Sequence, residues 1–143
     1  MNDSPEEKWW DSWYGRGGSS GSGSEGELLE YKVNYLNELF KKYCLKTVLD
    51  FGCGDGVVAS RLNCQIYLGI DISSKVIEFC KARIKRPGFS FEHGHFFDYT
   101  PEVIKNKFAS NLDCCMCIDV LYHISDTEVL NKILENLFSS ERG

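Results

Sequence analysis

Apolar residues along the chain follow first a helical spacing and then a series of short runs. A period near 3.6 residues predicts a helix from about Gly26 to Tyr43. Short apolar runs predict strands at Thr47–Phe51, Gln65–Ile70 and Phe89–Glu92. A fourth run, Leu112–Ile118, is almost continuously apolar, which is typical of a parallel strand covered on both faces.

Helical patterns lie between and after these strands. We expect helical turns from Gly56 to about Leu62 and helices near Ser74–Lys85, Pro101–Asn106 and Asp126–Phe138. Ser73 is the expected N-cap of the helix at Ser74, and Ser24 with Glu27 matches a capping box at the start of the first helix. Strands that alternate with helices predict an α/β fold with an open, mostly parallel sheet, right-handed crossovers and helices on both faces.

Residues 1–25 differ in composition from the rest of the chain. Trp9, Trp10, Trp13 and Tyr14 precede a glycine- and serine-rich stretch. A flexible linker has such a composition, but three tryptophans are unfavourable when left in water, so packing on the core or over a site is the alternative. We therefore divide the chain into an N-terminal aromatic and Gly/Ser-rich segment, residues 1–25, and a domain, residues 26–143.

Composition and charge restrict the class of protein. With 143 residues, 43% of them hydrophobic, the chain can bury one core, and the sequence has neither a membrane-length apolar run nor a signal peptide pattern. Seven cysteines without ligand-like spacing favour reduced thiols over disulfides or a metal site. The net charge of -5 makes nucleic-acid binding unlikely. We expect a cytoplasmic protein without a metal or a membrane partner.

Glycines and acidic residues follow the predicted strands at the positions of a nucleoside cofactor site. Gly52, Gly54 and Gly56 come after the first strand, Asp71 ends the second, and Asp98 follows the third. In an open parallel sheet the cofactor lies across the carboxyl ends of the strands, where a bare turn permits close approach and a carboxylate binds ribose hydroxyls. Asp71 is the expected ribose ligand.

The spacing and charge of the glycine turn distinguish between cofactors. Dinucleotide sites favour GxGxxG, whereas this turn places Asp55 between two glycines, where it would repel a pyrophosphate. Asp50 and Asp55 are instead compatible with a cofactor that carries sulfonium and ammonium groups. Nicotinamide-dependent reduction is therefore disfavoured.

Three segments resemble the class I, Rossmann-like methyltransferases that use S-adenosylmethionine (SAM). Val48–Gly56 is similar to their glycine-rich motif, Gly69–Ser73 to their second-strand acidic motif, and Leu112–His123 to their fourth strand and its exit loop. The resemblance implies a SAM-dependent methyltransferase that releases S-adenosylhomocysteine (SAH), with strand order 3-2-1-4. It also implies that residues 1–25 form a lid over the cofactor.

The resemblance assigns roles to individual residues. The implied cofactor-binding residues are Asp50, Gly52, Cys53, Gly54, Asp55, Gly56, Asp71, Ile72, Phe97, Asp98, Asp119, Trp13 and Tyr14. Tyr122 and His123 would face the acceptor, and His123 is the candidate general base. The sequence departs from the family at His95, which follows Gly94 where the family often has an acid, so Asp98 or the backbone beside it takes the adenine position.

The sequence leaves alternatives open for the methyl acceptor and for how the sheet is completed after its fourth strand. No Asn-Pro-Pro-Tyr-type run or Pro-Cys pair is present, so we expect a small-molecule, sugar or peptide acceptor. The family's sheet has seven strands, and this chain ends after the fourth, whose edge would be exposed. Three explanations of the missing strands stay open: an incomplete gene product, a homodimer through that edge, or a compact variant closed by residues 1–25. A non-catalytic SAM- or SAH-binding or partner module is the alternative function.

Overall fold

The computed structural model describes residues 4–109 and 111–138, which form five α-helices and four strands. In chain order the elements are α1 (Pro5–Gly15), α2 (Gly26–Tyr43), β1 (Thr47–Phe51), β2 (Ile66–Asp71), α3 (Ser74–Arg83), β3 (Phe89–His93), α4 (Pro101–Phe108), β4 (Cys114–Met116) and α5 (Thr127–Phe138). The predicted bounds of α2 and β1 are confirmed, and Ser73 caps α3 by accepting a hydrogen bond from the Val76 amide.

The four strands form one parallel sheet in the order β3-β2-β1-β4. This order confirms the predicted 3-2-1-4 arrangement. In the register of the sheet, Asp50 on β1 lies opposite Gly69 on β2 and Met116 on β4. Because all the strands run in one direction, the chain segments that follow them meet at the same edge of the sheet.

Helices cover the sheet on both faces, as predicted. Alternate residues of β1 face opposite ways: Val48 packs in a core with residues of α2 and α3, whereas Leu49 and Phe51 pack in a second core with residues of α4 and α5. All five residues of β1 are buried. Burial on both faces explains why the central strand reads as a continuous apolar run around Asp50.

Two predicted elements differ from the structure. The segment after Gly56 forms turns and a short 3-10 helix, Ala59–Arg61, rather than an α-helix, and the Arg86 guanidinium binds carbonyl oxygens there that an α-helix would use. β4 is also shorter than the predicted Leu112–Ile118. Before it, the Asp113 carboxylate accepts the backbone amides of Lys46 and Thr47 at 2.7 and 3.0 Å, so a side chain takes these donors at the start of β1 instead of carbonyls of a longer β4.

The segment before α2 contains a helix that the sequence analysis did not predict. Residues 5–15 form a helix that begins with Pro5 in its first turn and with Ser4 as N-cap, which accepts the Glu7 amide at 3.1 Å. The predicted capping box at Ser24 is wrong. Ser24 ends a 3-10 turn and its hydroxyl accepts from Lys32, while Glu25 precedes α2 without a side-chain cap.

The described part of the chain contains no helix that is both long and apolar enough to cross a membrane. Within the same residues, no three His, Cys, Asp or Glu side chains are grouped as a metal ion would require. The predicted cytoplasmic location therefore stays a prediction.

Candidate functional site

The turn after β1 places glycines, which have no side chains, at the carboxyl edge of the sheet. Gly52 and Gly54 have positive φ angles of 81° and 56°, which side chains disfavour. A Cβ atom would also collide with Val120 at Gly52 and with the Ser20 hydroxyl at Gly54. The Gly52 amide donates to the carbonyl of Ile70 on the neighbouring strand at 2.7 Å, which fixes the turn against β2.

Asp71 at the end of β2 binds this turn directly. One carboxylate oxygen accepts the Gly54 amide at 3.0 Å and the other accepts the Ser73 amide at 3.0 Å. The residue is only 8% exposed. Burial raises the pKa of Asp71 to about 6, against the two backbone hydrogen bonds, which lower it. The turn and the candidate ribose ligand are therefore one hydrogen-bonded unit.

Asp50 is a second buried carboxylate, one strand away. It is 7% exposed, and the Tyr67 hydroxyl donates to it at 2.5 Å. Burial raises the pKa of Asp50 to about 6, and the nearby charge of Asp71 raises it further, while the Tyr67 hydrogen bond and Lys32 act in the opposite direction. Two buried carboxylates with raised pKa values are typical of functional sites.

Both carboxylates line a cavity between the sheet edge and the N-terminal segment. Together with the open space at its mouth, the cavity encloses about 920 Å³. Its lining includes four carboxylate side chains and one lysine. These charged residues are Glu6, Lys32, Asp50, Asp71 and Asp119. The cavity is therefore acidic and suits a ligand with positive charge.

The helix α1 forms one wall of the cavity. Glu6, Trp10 and Tyr14, spaced by one helical turn, all line it. On the adjoining face, the Asp11 carboxylate accepts the hydroxyl of Ser73 at 2.6 Å and further hydrogen bonds from the first turn of α3. Although partial burial raises the pKa of Asp11, these hydrogen bonds lower it on balance, so the anion anchors α1 to the start of α3.

The loop after α1 is hydrogen-bonded to the glycine turn. The Ser20 amide donates to the Asp55 carboxylate at 3.2 Å, and the Asp55 amide donates to the Ser20 hydroxyl at 2.8 Å. The Tyr14 hydroxyl lies 3.3 Å from the same serine oxygen. Burial raises the pKa of Tyr14, so the phenol stays protonated. This reciprocal pair closes the side of the cavity next to the turn.

The segment after β4 supplies the remaining polar side chains. Asp119 has a φ of 59°, a left-handed conformation that is uncommon outside glycine, and it forms a 2.5 Å ion pair with Lys32 of α2. His123 lines the cavity and packs edge-to-face on Trp10, with ring centroids 5.3 Å apart. The candidate base therefore contacts the wall formed by α1.

The structure brings nine of the residues predicted from sequence to this cavity. They are Tyr14, Asp50, Gly52, Cys53, Gly54, Asp71, Ile72, Asp119 and His123. Their roles stay predictions.

Six predicted residues do not line the cavity. They are Trp13, Asp55, Gly56, Phe97, Asp98 and Tyr122. The Asp55 carboxylate is occupied by the Ser20 and Val57 amides, and Gly56 packs against Ile84 and Cys80.

The other four of these residues face away from the cavity. Trp13 donates to the Ser19 carbonyl and stacks on Trp9. Tyr122 is 74% exposed. Phe97 stacks on His95 at 5.0 Å in an exposed position, and Asp98 is exposed as well. Phe96, the residue before Phe97, is buried and lines the cavity in its place.

Sequence reasoning missed several lining residues. The most informative are Glu6, Trp10, Lys32 and Phe96. The spacing of Glu6, Trp10 and Tyr14 at four residues was visible as a helical signal. No sequence signal indicates that Phe96 rather than Phe97 lines the cavity, because a short 3-10 turn at residues 96–98 decides which ring points inward.

Comparison with known proteins identifies the domain. A family model described as "Methyltransferase domain" matches residues 45–142. A ubiquinone biosynthesis O-methyltransferase of Nitrosomonas europaea is 28% identical over 105 residues, which are 70% of this chain and 42% of that protein. An uncharacterised methyltransferase of Schizosaccharomyces pombe is 25% identical over 105 residues, 68% of this chain and 37% of that protein. The chain thus spans less than half the length of these relatives.

Solved structures show the same fold. The methyltransferase domain of bacterial CtHen1 superposes with a TM-score of 0.67 and 24% identity, covering 81% of this chain and 63% of that one. The N-methyltransferase NodS from Bradyrhizobium japonicum gives a TM-score of 0.68 and 14% identity, covering 93% and 66%. With its family model, its sheet order and the turn bound to Asp71, the chain belongs to the methyltransferase-domain family.

Proposed function

We propose that the protein binds SAM in the acidic cavity and transfers its methyl group to a small-molecule acceptor. The main support is the buried carboxylate of Asp71. It accepts a hydrogen bond from the Gly54 amide of the glycine turn and lines the same cavity. Several structural relatives, NodS among them, were solved as complexes with SAM or SAH. This supports the choice of cofactor.

The cavity fits the chemical groups of SAM. Its sulfonium and ammonium groups are cationic, and Asp50 and Asp119 place carboxylates at the carboxyl ends of β1 and β4. Asp71 keeps acceptor capacity for ribose hydroxyls beside its two amide bonds. The glycine turn packs its backbone closely against Val120 and Ser20 at the edge of the cavity, an approach that a Cβ at Gly52 or Gly54 would prevent.

The protein contributes positioning and exclusion of water. SAM supplies an activated methyl group that a nucleophile attacks in line. α1 covers the cavity with Trp10 and Tyr14, so the reacting groups are held together away from bulk water. His123 lines the cavity and accepts a proton from an acceptor that must lose one.

We infer that the acceptor atom is a hydroxyl oxygen on a small molecule. The N. europaea relative is named as an O-methyltransferase, which supports oxygen as the acceptor atom. A hydroxyl needs a base as it attacks, and His123 is the candidate base in the cavity. Apolar residues beside His123, including Val120 and Ile124, suit a largely apolar acceptor.

Calorimetric titration with SAM, SAH and NAD tests the cofactor, and a methyl-transfer assay on hydroxylated aromatic acceptors tests the reaction. We expect SAM and SAH to bind, NAD not to bind, and SAH to accumulate with acceptor. Binding without turnover on any acceptor would instead support a non-catalytic SAM- or SAH-binding module. Binding of NAD alone would refute the proposal.

A further inference from the structure

All three histidines of the chain contact the helix α1. His93 and His95 lie against Glu7, and His123 packs on Trp10. They come from two different segments, the end of β3 with the turn after it and the turn after β4. Histidine is the side chain whose charge changes near neutral pH. Besides the hydrogen bonds of Asp11 to the start of α3, the polar and ring contacts of α1 thus include three proton-sensitive side chains.

Glu7 is the centre of this arrangement. Its carboxylate is buried, with the whole residue 5% exposed, although it sits in the first turn of a surface helix. His93 Nε2 lies 2.8 Å from one oxygen and His95 Nε2 lies 3.5 Å from the other. His93 Nε2 is also 3.1 Å from the Ile72 carbonyl, and since both neighbours are acceptors, this nitrogen carries a proton.

A buried carboxylate requires compensating charge. When both imidazoles are neutral, Glu7 receives a hydrogen bond from His93 but no positive charge from either ring. A proton taken up by His93 converts that bond into a charge-assisted one, and a proton taken up by His95 places a positive charge 3.5 Å from the carboxylate. Closure of α1 onto the histidines then becomes more favourable.

We propose that Glu7, His93 and His95 form a proton-dependent latch that holds α1 closed over the cavity more firmly as the pH falls from about 8 to about 6. The regulatory consequence rests on the proposed function. Because Glu6, Trp10 and Tyr14 of the same helix line the cavity, a ligand enclosed by α1 leaves more slowly when the latch is protonated.

Other charged groups face the latch and set its environment. Asp11, on the next turn of α1, lies close enough to interact with His93, and so does Asp71 at the end of β2. When ionised, both carboxylates attract positive charge on the His93 ring, as the Glu7 carboxylate does. Glu6 and Lys8 flank Glu7 on α1 but are exposed.

The segment after α1 allows the helix to move. Gly17 and Gly21 have φ angles of 84° and 90°, and an added Cβ at either position would meet nothing within 4 Å. Packing therefore does not require glycine there, whereas backbone conformation does. Rotation at these two residues would release α1 while α2 and the sheet stay in place.

The three tryptophans of the chain, Trp9, Trp10 and Trp13, all lie in α1, so their fluorescence reports on this helix alone. We would measure acrylamide quenching of the ligand-free protein between pH 8 and pH 6. In the wild type the quenching constant should fall about two- to fivefold as the pH is lowered from 8 to 6. A partly exposed ion pair changes an equilibrium constant by about this factor. Glu7→Gln should remove the pH dependence.

Matched variants separate the latch from other titrations. Glu27→Gln changes an exposed glutamate in the first turn of α2, outside the cavity, and should keep the wild-type pH dependence. His93→Asn/His95→Asn should lose it, and this variant decides the question if Glu7→Gln does not fold by circular dichroism. A wild type without pH dependence, or a Glu7→Gln variant that folds and keeps it, would overturn the latch.

A second measurement connects the latch to the site. SAH release, followed by stopped flow, should be slower at pH 6 than at pH 8 in the wild type, and this difference should shrink in Glu7→Gln. If the rate of SAH release changes by the same factor between pH 6 and pH 8 in both proteins, the latch does not control the site. If SAH does not bind at all while quenching behaves as expected, the proposed function fails and the latch stands.

Discussion

At the scale of single residues, Asp71 connects the backbone of the turn to the cavity. Asp71→Asn keeps the shape of the side chain and removes its charge, so we expect SAM affinity to fall about 10- to 100-fold, the effect of losing hydrogen bonds to a charged group. Calorimetry measures the loss. Asp113→Asn is the matched control, because Asp113 also accepts two backbone amides but does so away from the cavity, before β4. Equal affinity loss in both variants would contradict the assigned role.

The raised pKa values of Asp50 and Asp71 predict a pH dependence. Burial raises both pKa values to about 6, so the folded, ligand-free protein holds protons that the unfolded chain has released. These groups therefore make the free energy of unfolding larger toward pH 4 and smaller as the pH rises through about 6.

The preference for SAM over SAH should increase as the pH rises, whereas the contribution of these groups to the free energy of unfolding decreases. SAM carries a sulfonium charge that SAH lacks, and only the ionised carboxylates attract it. Between about pH 5 and 7.5 we expect the affinity ratio of SAM to SAH to rise on the order of fivefold. Comparing two ligands cancels changes in α1 that affect both alike. A ratio that stays constant, or that falls with pH, would show that neither carboxylate interacts with the sulfonium.

His123 carries the prediction about the reaction. His123→Asn should lower kcat about 100-fold with a hydroxyl acceptor, because a general base is removed, while SAH affinity changes little. Steady-state kinetics and calorimetry together separate the two effects. Tyr122→Phe is the control: its ring is 74% exposed and outside the cavity, so activity should be retained. A wild-type kcat in His123→Asn would exclude the histidine as base.

Positions at the cavity were predictable from sequence where they follow directly from the end of a strand. Asp71 and Gly52 were placed there because a parallel sheet brings these ends together whatever the loops do, and their roles stay predictions. Glu7 and Asp11 were not, since their partners lie 62 to 86 residues away in sequence. Asp55 was placed in the site by its charge, but Ser20 occupies its carboxylate.

At the scale of elements, the glycine turn and the segment after α1 depend on each other. Gly54→Ala adds a Cβ at a φ of 56° against the Ser20 hydroxyl, so it should weaken the Ser20 to Asp55 hydrogen bonds and lower the free energy of unfolding by about 1–3 kcal/mol. Urea denaturation gives the value. Gly15→Ala should change it by less than about 0.5 kcal/mol, because an added Cβ there meets nothing within 4 Å. Similar values for both variants would contradict this interdependence.

The strands and long helices could be predicted, whereas α1 could not. β1 and α2 have strong periodic patterns, and both were placed correctly. α1 has only a weak pattern, the four-residue spacing of Glu6, Trp10 and Tyr14, and it is held by the carboxylates of Glu7 and Asp11 rather than by a broad apolar stripe. The start signals at Ser4 and Pro5 were present, but the aromatic and glycine-rich composition obscured them.

At the scale of the whole molecule, β4 lies at one end of the four-stranded sheet, and the predicted homodimer through this strand stays a prediction. Its paired segment is only three residues long, which limits what a second copy can add. We expect weak association, on the order of tens of micromolar, in sedimentation velocity. Hydrogen exchange of the Cys114–Met116 amides should slow as concentration rises. A dimer whose β4 amides are unaffected would place the interface elsewhere.

The central claim is that the cavity between the glycine turn and α1 holds SAM. A crystal structure of the protein with SAH tests this most directly. We predict the ligand beneath Trp10 and Tyr14, its ribose hydroxyls within hydrogen-bond distance of Asp71 and its amino-acid end beside the turn at Gly52. SAH bound elsewhere, or bound in the cavity without contact to Asp71, would contradict the account.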